Sequence, residues 1–385
     1  MNTSAELVPP LEVVPVDAPR QFDQPQLGLA LTEVDRLIRA NEARNLFHVD
    51  GAGLAVAVLD TGLNTAHVDF AGRVRAQANF TSDNGGAPGD ATDGQGHGTN
   101  VTGIIAADGD HRGVAPGAGV VPLKVLSNTG SGSFQAVADA LQWVLDHHEE
   151  HGISAVCMSL GAGNNLQDDV GLDHDPTGER VRLLRERRIP VVIAAGNDFF
   201  KHSSRQGMSY PAILRHCVSV GAVYDEFEGP FSYASGATAF SSGPDRITPF
   251  SQRLHDDVSP DCRTDIFAPG APVTSSGING PRGESVQHGT SQATPVTVGV
   301  IVLMQALHEK LAGELPEVDD LVEWMRRSGV SILDGDDEHD NVQHTDLEFR
   351  RVDAFRALDA VGRALQKEML LTGEPLGGEP VLRAP

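Results

Sequence analysis

Five short apolar runs recur between segments of helical period, and this alternation restricts the chain to few architectures. The runs are AVAVLD (55–60), GVVPLKVL (119–126), ISAVCMSL (153–160), IPVVIAAG (189–196) and CVSVGAV (217–223). Their near-continuous apolar character marks strands covered on both faces. Between two of them, FQAVADALQWVLDHHEEH puts Phe134, Val137, Ala138, Leu141 and Leu145 on one helical face. Strand, helix, strand in succession predicts an α/β fold: a doubly wound, mainly parallel sheet with helices on both faces, in a single large domain. Sites in such sheets form at the carboxyl ends of the strands.

The rest of the chain frames that domain. Residues 1–30 hold five prolines and no sustained period, which reads as an extended arm. The domain proper spans 31–365, opening with a helical stretch, LTEVDRLIRANEARNLF. It closes with VTVGVIVLMQALHEKLA, expected to be a buried central helix, a helix near 316–328, and RRVDAFRALDAVGRAL. Residues 225–246 read as an insertion and 366–385 as a flexible tail. A net charge of −24, with only Lys124, Lys201, Lys310 and Lys367 as lysines, argues against nucleic acid or an anionic membrane as partner. No uninterrupted apolar run of about 18 residues points to a membrane span. Cys157, Cys217 and Cys262 are an odd and sparse set, and Cys157 and Cys217 sit in apolar stretches, so a disulfide framework is not expected. With no cationic start leading into an apolar stretch, a cytoplasmic location is the expectation.

Four segments carry chemistry. Asp60 ends the strand AVAVLD before Thr-Gly; His97 lies in DGQGHGTNVTG; Asn197 ends VVIAAGN; Ser291 sits in HGTSQATP, opening the apolar helix. Serine, histidine and aspartate together turn a weak hydroxyl into a nucleophile, the imidazole taking its proton and the carboxylate fixing the imidazole tautomer. An asparagine N–H and the free N–H groups of a helix start suit an oxyanion.

DTG, GHGT, AAGN and GTSxATP, in the order Asp, His, Asn, Ser, resemble the subtilisin-like serine proteases (subtilases), over about residues 40–360. The resemblance implies a subtilisin-like fold and a serine endopeptidase with Asp60, His97 and Ser291 as triad and Asn197 in the oxyanion hole. It also implies a polypeptide substrate held as an added strand between Gly130-Ser131-Gly132 and Ser159-Leu160-Gly161, with Ala195 and Gly196 in the pocket and Asp198 at its rim. Asp168, Asp169, Asp173 and Asp175 would thicken an acidic rim favouring a basic or polar side chain near the cleavage point. No cofactor is required for this chemistry and no metal ligand set is assigned. The loop AADGDHRGVAP is shorter than the one that wraps calcium in many relatives, so structural calcium stays an open expectation. The arm is too short for a folded pro-domain, and ELVPPLEVVPVDAP would serve instead as an inhibitor laid in the groove; removing residues 1–20 should raise activity. Gln292 stands where most relatives have an oxidisable Met, and Asn100 where many have a second histidine.

Other readings compete. An acyl-enzyme attacked by an amine would make a transpeptidase or macrocyclase, and a lost catalytic residue would leave a non-catalytic peptide-binding module; all four residues are present. HHEEH (147–151) matches an inverted zinc-peptidase pattern, with His147 and His151 one turn apart, but equally a solvated helix end. RVRLLRERR (180–188) reads as a solvated helix face. DGDDEHD (334–340) lacks calcium-loop spacing and reads as a solvated loop.

Overall fold

The computed structural model describes residues 11–12, 20–22, 31–172 and 174–372. Its centre is a nine-stranded sheet in the order Val330–Leu333, Glu348–Arg351, Ile266–Ala271, Val218–Tyr224, Val191–Ala194, Ile153–Met158, Ala55–Asp60, Gly119–Lys124, Ala78–Asn79. Every pairing is parallel except that of Val330–Leu333, which lies antiparallel at one edge. From Ala55–Asp60 the chain first builds outward on one side. It then returns to pair Ile153–Met158 on the other side and continues away. The strand order therefore reverses at Ala55–Asp60, and a crevice opens at its carboxyl end.

Side-chain alternation along the strands feeds two apolar layers. Ala55, Ala57 and Leu59 pack with Val137, Leu141, Val181 and Leu184 of the helices Phe134–His151 and Pro176–Arg185. Val56 and Val58 pack on the opposite face with Val101, Ile104, Val298 and Leu358, from His97–Ala106, Thr290–Ala312 and Ala354–Thr372. Double coverage is why these strands lack polar alternation. The helix Thr290–Ala312 is long and apolar enough to cross a membrane, yet 94% of its apolar window is buried inside the protein. It is the core helix expected from the sequence. Phe134–His151 begins at a Ser133 cap, whose hydroxyl accepts from Ala136 N at 3.1 Å, and ends at Gly152 with φ 64°.

Several local readings change. The stretch 31–47 forms two helices, Thr32–Ile38 and Ala40–Phe47, broken where Arg39 turns to φ 58°. The Arg39 guanidinium meets Asp353 at 2.9 and 2.7 Å, a distant anchor that local periodicity does not reveal. Ala354–Thr372 is helical throughout, so 366–372 continue the last helix instead of starting a tail; 373–385 lie outside the described residues. Within 334–340, Asp334 is fully buried and holds Arg253 through two bonds, of 2.8 and 2.9 Å. Burial alone would raise its pKa; Arg253, His344 and Thr345 instead hold it well below the usual carboxylate range. Hydrogen bonds to Asp334 and Asp340 push His344 up to about 10. Only the exposed part of that segment is solvated. Phe231–Ser232 and Thr238–Ser241, inside 225–246, form a small antiparallel sheet with His339–Asp340.

The arm divides between two places. Leu11–Glu12 pairs antiparallel with Ser131–Gly132, whereas Arg20–Phe22 pairs antiparallel with Glu284–Gln287. The other residues of 1–30 lie outside the described residues.

Candidate active site

Asp60 and His97 are brought together by close backbone packing. A side chain at Gly98 would lie 2.3 Å from Gly62 O and 3.1 Å from Asp60 Oδ1, so the turn after the strand can rest on the helix start only if residue 98 is glycine. Thr61 Oγ1 accepts from Gly98 N at 2.9 Å and adds a second tie. The result is a fully buried pair: His97 Nδ1 donates to Asp60 Oδ1 at 2.8 Å, with Oδ2 at 3.0 Å. Burial disfavours the imidazolium, but the Asp60 carboxylate outweighs it, and the pKa of His97 is raised above its ordinary 6.5. His97 Nε2, on the other side of the ring, is buried and has no hydrogen-bond partner.

Ser291 is the second residue of its helix and 5% exposed. Its hydroxyl donates to Ser159 O at 3.3 Å, and no hydrogen bond joins it to His97. Pro295 lacks the N–H that would take the Ser291 carbonyl in a regular helix; the Ser159 hydroxyl donates to that carbonyl instead, at 2.7 Å. Ser291 is thus fastened to Ser159 twice, through its hydroxyl and through its carbonyl. Asn197 Oδ1 accepts from Thr290 N and Thr290 Oγ1, both at 2.9 Å, which fixes which end of the amide each neighbour meets. Thr290 was not singled out in the sequence, although it lies in the motif GTS.

A pocket beside the hydroxyl is lined by Ser159, Leu160, Gly161, Gly163, Ala194, Gly196, Asn197, Asp198, Ser209, Thr290 and Ser291. Ala195 does not line it; it faces the core layer beneath the strand, and its neighbours 194 and 196 form the wall. A side chain at Gly196, where φ is 117°, would meet Gln252 Oε1 at 2.0 Å. The acidic rim largely dissolves. Asp169 is buried against Arg215, and Asp175 caps the helix Pro176–Arg185 and accepts the Tyr210 hydroxyl at 2.7 Å. Asp168 accepts from Val170 N, Asp173 lies outside the described residues, and Asp198, at the pocket, pairs with Lys201 at 2.7 Å.

Lys124, directly beside Asp60 in the sheet register, is fully buried. It donates to Thr61 O at 2.5 Å and to Asn128 Oδ1 at 2.9 Å, joining the catalytic turn to the loop before Gly130. Burial lowers its pKa, with Asp93, Asp83 and Asp60 opposing.

The residues at the calcium question do not fit that ion. Asp69 faces the loop 106–116; its Oδ1 accepts from Asp110 N and His111 N, and its Oδ2 from His111 Nδ1 at 2.7 Å and Ser276 Oγ at 2.5 Å. The other ring nitrogen of His111 meets Glu284 Oε2 at 3.1 Å. Burial works against a charge on His111, but Asp69 and Glu284 overcome it and raise its pKa. An imidazole wedged between two carboxylates is a poor setting for an ion that seeks six to eight oxygens. At 147–151, His147 and His151 stack on Trp143, with ring centroids 4.4 and 5.6 Å away. Neither belongs to a potential metal cluster among the described residues.

Comparison with known proteins gives a consistent picture. Residues 51–328 match the model of the subtilase family. The chain is 30% identical over 285 residues to the Major intracellular serine protease of Bacillus subtilis (strain 168), covering 73% of this chain and 77% of that protein. It is 30% identical over 260 residues to an Intracellular serine protease of Paenibacillus polymyxa, covering 67% and 68%. Subtilisin-like protease 3 of Arthroderma benhamiae is 30% identical over 257 residues, covering 66% and 53%.

Proposed function

Because this chain belongs to the subtilase family of serine-type endopeptidases, we propose that it hydrolyses peptide bonds through an acyl-enzyme formed on Ser291. The observation that carries this reading is the buried Asp60–His97 pair, in which Nδ1 is held by the carboxylate and Nε2 is left without a partner, ready to take a proton. Rotation of the Ser291 side chain away from Ser159 O hands its proton to Nε2 as Oγ attacks the scissile carbonyl carbon. Asp60 holds the ring in the required tautomer and stabilises the imidazolium. The carbonyl oxygen, now negative, is met by the Asn197 side-chain N–H and the Ser291 backbone N–H, in a helix turn whose N–H groups have no intrahelical acceptor. Collapse breaks the C–N bond, and His97 returns the proton to the leaving amine. Water then repeats the sequence on the ester. Nucleophile, base and oxyanion donors all belong to the chain, so hydrolysis proceeds without a metal; a serine-directed fluorophosphonate should stop it and a chelator should not.

The substrate reading places an extended polypeptide between 130–132 and 159–161, with the side chain before the scissile bond in the pocket near Gly196. Among the described residues lining that pocket Asp198 is the one acid, and Lys201 offsets it. The intracellular names of two relatives favour a cytoplasmic site of action. Asn197→Ala should lower kcat by about 10²–10³ with KM little changed, the scale seen for such a donor in a subtilisin. An equal loss in KM would instead make Asn197 a substrate-binding residue.

The arm fits an inhibitory role through Leu11–Glu12, which pair with the very edge, Ser131–Gly132, that a substrate would take. In the full chain, replacing Leu11 and Glu12 by proline removes ladder N–H groups there. The initial rate on a peptide substrate should rise several-fold; an unchanged rate would dismiss the inhibitor.

A further inference from the structure

Arg20–Phe22 form the outer strand of a three-stranded antiparallel sheet whose middle strand is Glu284–Gln287 and whose far strand is Val273–Ser276. Phe22 stands opposite Glu284, Gln21 opposite Ser285, and Arg20 opposite Val286. The middle strand reaches both catalytic helices. Ser285 and Gln287 share one face by their spacing of two. Asn100 Nδ2 donates to Ser285 O and Oγ, both at 3.0 Å. Gln287 Nε2 donates to Gly96 O at 3.2 Å, immediately before His97. Gln292 Nε2, immediately after Ser291, donates to Gln287 Oε1 at 3.2 Å and Asn100 Oδ1 at 3.3 Å. All four side chains are buried, Gln287 being the most exposed at 2%. Gln292 and Asn100, which the sequence reading set apart one at a time, are thus partners in one amide network.

We propose that residues 20–22 are a positioning strand for catalysis: by pairing with Glu284–Gln287 they hold this network, and through it the spacing of Ser291 and His97. The inference adds to the inhibitory reading of Leu11–Glu12 and gives the two described pieces of the arm opposite effects. Stripped of Arg20–Phe22, Glu284–Gln287 becomes an edge strand with unpaired backbone groups on one side. Its Gln287 contacts, both at 3.2 Å, are already at the long end of hydrogen-bond distance. A displacement well under 1 Å at the reacting groups costs about tenfold in rate, since a full 1 Å costs about a hundredfold. The loss falls on kcat, because the pocket and the strand 131–132 lie elsewhere.

The test uses the full chain. The reference carries Leu11→Pro and Glu12→Pro, so that inhibition is relieved; the probe adds Gln21→Pro and Phe22→Pro. Successive N–H groups of a strand point to opposite sides, so one of these two prolines must remove a ladder bond. The probe should show kcat about tenfold lower than the reference, with KM shifted less than about twofold. Repeating the pair in the double variant Asn100→Ala, Gln287→Ala should abolish the difference, because those two changes together remove the amide contacts that run from the strand to the helices of His97 and Ser291. An unchanged kcat overturns the proposal. So does a loss that persists in full in the Asn100→Ala, Gln287→Ala background, which would make the strand a support for the fold alone. If the Leu11 and Glu12 prolines fail to raise the rate, only the inhibitor reading falls, since the comparison with and without the Gln21 and Phe22 prolines still stands.

Discussion

Ser291→Ala should lower kcat by about six orders of magnitude while leaving peptide binding and thermal stability nearly intact. Removal of the serine from a subtilisin costs about 2 × 10⁶, or about 8.6 kcal/mol of barrier. The same scale applies because no thiol lines the pocket to replace the lost hydroxyl: Cys157, Cys217 and Cys262 are buried, and burial drives the Cys157 thiol pKa upward. Stability should hold because the deleted hydroxyl makes one long bond, to Ser159 O, while the tie from Ser159 Oγ goes to the Ser291 backbone and survives. Active-site-titrated kinetics checks this. A fall of only tenfold would place the nucleophile elsewhere.

Asp60→Asn should lower kcat by about 10⁴, the scale for such a change in a serine-protease triad, because an amide can present an N–H to His97 Nδ1 and select the wrong tautomer. Its pH profile should move in a defined direction. Catalysis needs His97 neutral, so the native enzyme loses activity as pH falls through the raised pKa of His97, above 6.5. In the variant the Asp60 carboxylate is gone, and burial, which favours the neutral ring, is opposed only by the weaker pull of Asp93. The acid limb of the residual activity should therefore shift to lower pH. A limb that stays in place, or moves upward, would mean that Asp60 does not govern the protonation of His97.

Much of this was readable from residues in order. The apolar runs gave the strands because both faces of the sheet are covered, and the motifs fell at strand ends and helix starts where a doubly wound sheet must place a site. Interactions between distant segments were not readable. Arg39 breaks a helix through Asp353, and Asp334 is buried by Arg253; in each case a charge far along the chain overrides the local pattern. Acidic residues near 168–175 looked like a pocket rim, yet Asp169 and Asp175 are engaged by Arg215 and by a helix cap and tyrosine. Ala195 and Gly196 adjoin in sequence but face opposite sides. Gln292 and Asn100 each looked like isolated oddities until the strand 284–287 joined them. The arm read as one element because proline content says nothing about where individual residues pair.

The central claim is that residues 60, 97, 197 and 291 meet to make one hydroxyl reactive toward a carbonyl. Labelling the full chain with a fluorophosphonate and locating the adduct by mass spectrometry tests it most directly. The adduct should sit on Ser291 alone and nearly vanish in His97→Ala. An adduct on another residue, or undiminished labelling of Ser291 without the imidazole, would contradict the account.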